Sequence, residues 1–198
     1  NNKYLMIYST DYIPYERIKM YEENGYEIIY EYVDEFNEDL SGKEMFELLS
    51  ERHQRIMEDN PTVICTATEL YNNCIKENFK YVKLITNGVD YEHFKPSKYD
   101  MPEDLKEIRD KYKYIICYYG ALASWFDYDL VKKLSKNKDY AIVLLGQDYD
   151  KTLDKSGILK RDNVYYLGKK KYVDLPAYGM QSDIFVIPFL INDITKAT

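Results

Sequence analysis

Eight short apolar runs punctuate the chain, and most are set apart by polar stretches long enough to hold a helix. They read YLMIYS (4–9), EIIYEYV (27–33), TVICTA (62–67), YVKLIT (81–86), YIICYYG (114–120), AIVLLG (141–146), NVYYLG (163–168) and DIFVIPF (183–189). Most are nearly continuous in hydrophobicity, the pattern of a strand buried on both faces of its sheet. The stretches between them carry helix signals. Ser41-Gly42-Lys43-Glu44 has the form of a capping box, and Met45, Leu48, Leu49, Ile56 and Met57 follow at near-helical spacing. Asp127 can cap a helix bearing Leu130, Val131 and Leu134, with Asp129 in its first turn. Strand and helix alternating in this way predict a parallel α/β fold.

With 198 residues the chain has ample length for one large domain or two small ones. A formal charge of −7 argues against a nucleic-acid or acidic-membrane footprint. Cys65, Cys74 and Cys117 are an odd number in no metal-like spacing, which suggests reduced, buried thiols and a cytoplasmic setting. No apolar run approaches the roughly 20 residues of a membrane span, and no signal peptide precedes the first strand. Many of the 23 tyrosines sit at strand positions, where aromatic side chains suit a half-buried pleated surface.

The segment ITNGVDYEHFKP (85–96) divides the eight runs four and four. Asn87-Gly88 has the composition of a hairpin turn, yet no alternating strand returns after it. Asp90, Tyr91, His93 and Phe94 follow instead, then Pro96, which cannot extend a strand or a helix interior. A helix over 101–111 leads into the second set of strands. The segment reads best as a crossover between two Rossmann-like domains, with Gly88 permitting a turn at positive φ and Tyr91 and Phe94 pinning the linker. The other reading is an ordinary loop within one doubly wound domain.

A strand followed by NGVD and Phe-x-Pro resembles the interdomain junction of GT-B glycosyltransferases, family 4 and its relatives in particular. YYGALASWFDYDLV (118–131) resembles the glycine turn that opens their donor domain, and AIVLLG their next strand with its glycine. NVYYLGKKKYVDLPAYGMQSDIFVIPF (163–189) is similar to their NV-x-x-LG, Y-x-x-L-P-x-Y and D-x-x-x-x-P run, the most specific match. Upstream, YEYVDEF (30–36) and TVICTATEL (62–70) resemble the later part of the acceptor domain.

This resemblance implies two Rossmann-like parallel α/β domains of GT-B type, each incomplete: 1–90 on the acceptor side and 91–198 on the nucleotide-sugar side, hinged at Asn87, Gly88 and Asp90. It implies sugar transfer from a nucleotide diphosphate sugar to a glycan or lipid-linked acceptor in bacterial cell-surface polysaccharide synthesis, with retention of configuration and no obligatory metal. The expected setting is the cytoplasm, extending to the inner face of the membrane, and no nucleic-acid partner is expected. The chain looks like an internal piece. A ribose-holding glutamate is expected beyond its end, so the piece by itself is expected to be inactive. A nucleotide-sugar epimerase of the same fold and a non-catalytic nucleotide- or protein-binding α/β module are the alternatives.

The chemistry needs a cradle for diphosphate, and backbone amides at a glycine turn before a helix supply one. Gly120 with Ala121 and Leu122 suits that role. The relatives place an Arg and a Lys near this turn, where Ala121 and Phe126 stand here, so the basic clamp is missing. Leu167 and Gly168 are expected to lie against the donor base, and Asn192 and Lys196 to line the mouth of the last strand. The run Lys169-Lys170-Lys171 reads as a solvated face. Asp127-Tyr-Asp129 and Asp148-Tyr-Asp150 have the form of a metal-carrying Asp-x-Asp, although the first pair is better explained as a helix start. His53 reads as a packed or surface helix residue, and His93 as a candidate for the interdomain cleft; neither has a spaced metal or nucleophile partner.

Overall fold

The computed structural model describes residues 2–192 and Thr195. The chain divides into two compact units, one running to Gly88 and taking in the described residues from Ile191 on, the other being Val89–Leu190. Each holds a four-stranded sheet whose strands all pair in parallel.

The first unit runs β1 (Lys3–Tyr8), α1 (Tyr15–Glu23), β2 (Tyr26–Tyr32), α2 (Glu38–Ser41), α3 (Lys43–Glu58), β3 (Thr62–Cys65), α4 (Thr68–Lys76) and β4 (Val82–Leu84). Its strands lie side by side in chain order, with Ile7 beside Tyr30, Tyr30 beside Val63 and Val63 beside Val82. Right-handed crossovers that always step the same way put every connecting helix on one face. Ile18, Ile56, Met57, Leu70 and Cys74 therefore pack with Ile7, Ile28, Tyr30, Tyr32, Val63 and Cys65 in a single core. The alternate residues Tyr4, Met6 and Tyr8 stay exposed.

The second unit runs α5 (Tyr91–Phe94), α6 (Glu103–Lys111), β5 (Tyr114–Tyr119), α7 (Tyr128–Leu134), β6 (Tyr140–Leu145), α8 (Thr152–Ser156), β7 (Val164–Gly168), α9 (Leu175–Met180) and β8 (Ile184–Phe185), with 3-10 turns at Ile158–Lys160 and Tyr172–Asp174. Its order is β7-β6-β5-β8. The chain steps one way from β5 to β7 and then returns to the far side of β5, so helices cover both faces. On one face Val131, Leu153 and Ile158 pack on Tyr118, Ile142 and Leu144. On the other, Leu105, Ile108 and Tyr178 pack on Ile115, Cys117, Val143 and Leu145. The reversal between β5 and β8 is a topological switch point, where open α/β sheets take ligands beyond the carboxyl ends of the strands.

Every apolar run became a strand, with ends shifted or shortened by one to a few residues. The 183–189 run pairs only at Ile184 and Phe185, after which Pro188, lacking an N–H, cannot continue the ladder and Phe189 turns back to bridge Phe126. The capping box does not form. Ser41 ends the short α2, its hydroxyl donating to the Asn37 carbonyl at 2.9 Å, and Gly42 at φ 81° breaks the path into α3. Asp127 does cap α7, accepting from Leu130 N–H at 2.8 Å. In the 85–96 segment, Asp90 caps α5 by accepting from His93 N–H at 3.1 Å. Gly88 is not at positive φ, so the turn expected of it is absent.

Candidate functional site

Three parallel strands of the second unit reach their carboxyl ends at a glycine, and the three glycines stand in a row. Gly120 N–H donates to Leu145 C=O at 2.9 Å, and Gly146 N–H to Gly168 C=O at 2.9 Å. Close approach of backbone requires Gly146 to be a glycine, whereas Gly120 is crowded only by a side chain. A Cβ on Gly146 would lie 1.8 Å from the Gly120 carbonyl oxygen, and one on Gly120 would lie 2.6 Å from the Tyr118 hydroxyl. That hydroxyl donates to Ala121 C=O at 2.7 Å, and Tyr166 reaches Gly146 C=O at 2.9 Å. Gly168 differs from both. It sits at φ 72° with open space where a side chain would start.

The loops beyond β5 and β6 keep the strand pairing going. Leu122 N–H donates to Gln147 C=O, and Tyr149 N–H donates back to Leu122 C=O, both at 2.8 Å. Asp150 accepts from Ser124 N–H at 2.8 Å and from the Thr152 hydroxyl at 2.6 Å. Burial works against its charge, but the hydrogen bonds from Thr152 and Ser124 outweigh it and hold the carboxyl below its ordinary range. Asp148 accepts from Leu153 N–H at 3.4 Å. The second Asp-x-Asp pair thus closes a loop and starts a helix. Asp127 N–H donates to Pro188 C=O, and Leu190 N–H to Trp125 C=O, which ties the loop after β8 to the loop after β5 at the switch point.

These bonds revise the expected cradle. Gly120 and Leu122 use their N–H groups inside the sheet, and Gly120 and Ala121 are exposed while Leu122 is buried. Leu167 and Gly168 end β7 half-buried, two strands away from Gly120. Asn192 is grouped with the first unit, where its side-chain oxygen accepts from Thr195 N–H at 3.1 Å. Lys196 lies outside the described residues. Gly146, Tyr118 and Tyr166 were not among the expected site residues. Their signal was the repeated apolar run ending in glycine, which shows in the sequence only as three separate strand exits.

The lysine run is not a uniform solvated face. Lys169 and Lys171 are exposed, but the Lys170 side chain keeps only 18% of its exposure, pairing with Asp104 while its ammonium lies 5.3 Å from the Tyr178 ring. Tyr178 donates to the same carboxylate at 2.7 Å. His93 stacks on Tyr172 with ring centroids 4.4 Å apart and meets the Tyr172 carbonyl at 2.9 Å.

In the first unit, α3 brings two arginines to the carboxyl end of β1. A cavity of about 280 Å³ there is lined by Tyr12, Tyr15, Leu48, Arg52 and Arg55 among others. Arg52 is buried and donates to four main-chain carbonyls, those of Tyr8, Ser9, Asp11 and Ile13. Arg55 lies 3.8 Å above the Tyr15 ring and pairs with Glu16 at 2.9 Å.

His53 follows Arg52 into the core, against Tyr30, Tyr32 and Phe36, with Nδ1 2.7 Å from the Tyr30 hydroxyl. Burial, and secondarily the Arg52 charge, push its pKa down to about 4. Because the folded value lies below the ordinary 6.5, the unfolded chain takes up the proton first as pH falls. Stability should therefore be level above about pH 6.5 and fall by up to roughly 3 kcal/mol toward pH 4. His53→Gln should remove that limb. Urea denaturation of both proteins across this range checks it, and a wild-type-to-variant difference that does not change with pH would refute the assignment.

No protein-family profile matches the sequence, and no curated protein matches it. Solved structures do match its fold. HepE from Anabaena, crystallised with UDP, aligns at a TM-score of 0.62 and 18% identity over 91% of this chain and 52% of that one. HepE crystallised with UDP-glucose aligns at 0.57 over 81% and 46%. Sucrose-phosphate synthase from Thermosynechococcus elongatus aligns at 0.61 and 14% identity over 95% and 52%. The chain thus spans about half the length of the structures it matches. The two four-stranded parallel sheets, matched in these neighbours, are a pair of Rossmann-like α/β units of GT-B type.

Proposed function

We propose that the chain is part of a GT-B glycosyltransferase and that its second unit takes the nucleotide end of a nucleotide diphosphate sugar. The observation that carries this reading is the row of glycine-ended parallel strands beside the switch point. It occurs in a fold shared with a protein crystallised with UDP and UDP-glucose. Backbone can come close to a flat base only where no side chain intervenes, and the open space at Gly168 fits that need. With Ala121 and Phe126 at the positions of the basic clamp, no basic side chain stands there to meet the diphosphate, so base and main-chain contacts carry more of the binding. The acceptor is a glycan or lipid-linked sugar held by the first unit. The reaction is a retaining transfer without an obligatory metal, in bacterial cell-surface polysaccharide synthesis.

Calorimetry with UDP, GDP and their glucose and mannose conjugates tests the reading. Millimolar binding of one nucleotide series is expected, with little turnover by this chain alone. Gly168→Val should weaken that binding at least tenfold, because its side chain fills the open space. The φ of 72° adds about 1–3 kcal/mol of backbone strain to fold stability, read separately by thermal melting. Absence of binding by every nucleotide, or affinity unchanged by Gly168→Val, counts against the assignment.

A further inference from the structure

The main chain after Gly168 leaves β7 as a loop with an exposed surface, Lys169 and Lys171 to Asp174 all being exposed. A loop of that kind is ordinarily mobile. This one is held at two points, by contacts of different chemistry. At the first, Lys170 turns back onto α6, where Asp104 accepts from both Lys170 and Tyr178 of α9. The three side chains join the loop to two helices. At the second, Tyr172 is gripped by α5: His93 stacks on its ring at 4.4 Å and 15°, and Phe94 meets the same ring edge-on at 5.5 Å. The His93 ring nitrogen at 2.9 Å from the Tyr172 carbonyl fixes the backbone as well as the side chain. Asp90 and the Tyr99 hydroxyl hold His93 in turn, through its N–H at 3.1 Å and its carbonyl at 3.3 Å.

A lysine in a three-lysine run and an exposed tyrosine are poor candidates for two such anchors unless the backbone between them needs a fixed place. That backbone begins at the one glycine of the row with open space beside it. We propose that Lys170 and Tyr172 are positioning residues of a nucleotide-reading loop, clamping the main chain after Gly168 so that its amides and carbonyls meet the edge of the base. The proposal rests on the nucleotide-binding reading above. Neither side chain need touch the ligand. Their effect is preorganisation: a loop already in its bound conformation loses less freedom on binding.

The test uses Tyr172→Ala, Lys170→Met and His93→Ala, with Tyr172→Phe and Lys170→Arg as conservative partners. UDP is the probe, with GDP as the alternative base. Calorimetry gives Kd, hydrogen exchange gives the mobility of residues 169–174, and thermal melting confirms that each variant is folded. Each disruptive variant should speed exchange of the loop at least tenfold and raise Kd at least fivefold. Tyr172→Phe keeps the stacked ring and Lys170→Arg keeps a charge-assisted bond to Asp104, so both should stay within about twofold of wild type in Kd and exchange. Faster exchange with unchanged Kd makes the clamps purely structural and overturns the proposal. So does unchanged exchange in the disruptive variants. A wild-type protein that binds neither nucleotide removes the underlying reading and the proposal with it, whereas wild-type binding shared unchanged by all variants sinks the proposal alone.

Discussion

Gly146→Ala is expected to destabilise the second unit by about 3 kcal/mol or more. The added Cβ would sit 1.8 Å from the Gly120 carbonyl oxygen and 2.7 Å from its carbon, distances no side chain tolerates. The obstacle is backbone, which cannot rotate away as a side chain does. Gly120 is itself held by its bond to Leu145, so relief requires β5 and β6 to part at their carboxyl ends. The φ of 142° adds strain of its own for any residue with a Cβ. The chain's single tryptophan, Trp125, lies in the loop that follows Gly120, so its fluorescence during urea denaturation reports on this unit. Gly88→Ala, in the first unit and read by calorimetric melting, is the contrast, with an ordinary φ and no atom within 4 Å of the new methyl. It should be neutral or slightly stabilising, by about 0.4–1 kcal/mol, through the unfolded chain. Similar losses at Gly146 and Gly88 would show that the close approach between β5 and β6 is not a constraint on the folded protein.

Arg52→Ala should cost the first unit about 3 kcal/mol or more. The residue keeps 5% of its exposure and binds carbonyls along the chain from Tyr8 to Ile13. Among the described residues it forms no ion pair, and its Nε has no hydrogen-bond partner. Removing it would take the donor from the buried Ser9 carbonyl, while Tyr8 C=O keeps the Asp11 N–H at 3.0 Å, and would open a void beneath α3. Burial holds its pKa below the ordinary arginine value, but a guanidinium stays charged at neutral pH. Arg52→Lys should recover only a minority of the loss, since one ammonium cannot serve several carbonyls spread around a planar fork. Calorimetric melting of the two variants, with limited proteolysis of the loop after β1, reads the effect. An Arg52→Ala melting point within about 2 °C of wild type would mean the loop does not depend on this residue.

Strand pairing settled that there are two sheets and not one doubly wound sheet, but the sequence by itself determined the strands and the alternation that makes them parallel. These rest on local hydrophobic runs and on short-range chemistry such as the Asp127 cap. His53 could be placed on an amphipathic helix for the same reason, but whether it was packed or at the surface was decided only by Tyr30, Tyr32 and Phe36 closing around it. Short-range signals also mislead where a neighbour competes. Ser41 satisfies the capping pattern, but Gly42 at positive φ puts its hydroxyl on the wrong helix.

Only the tertiary structure decided what the residues at the strand ends do. Gly120, Gly146 and Gly168 are widely separated in the chain, and strand order alone sets them side by side. That order also consumes the amides of Gly120 and Leu122, which the glycine turn before a helix suggested were available for phosphate. Lys170 reads as one of three equivalent charges until Asp104 and Tyr178 arrive from two other helices. Arg52 reads as an ordinary helix cation until the loop after β1 folds its carbonyls around it. Periodicity records which face of an element is buried, because that depends on neighbours a few residues away. It does not record which distant group comes to face a given side chain, because strand order and crossover direction settle that.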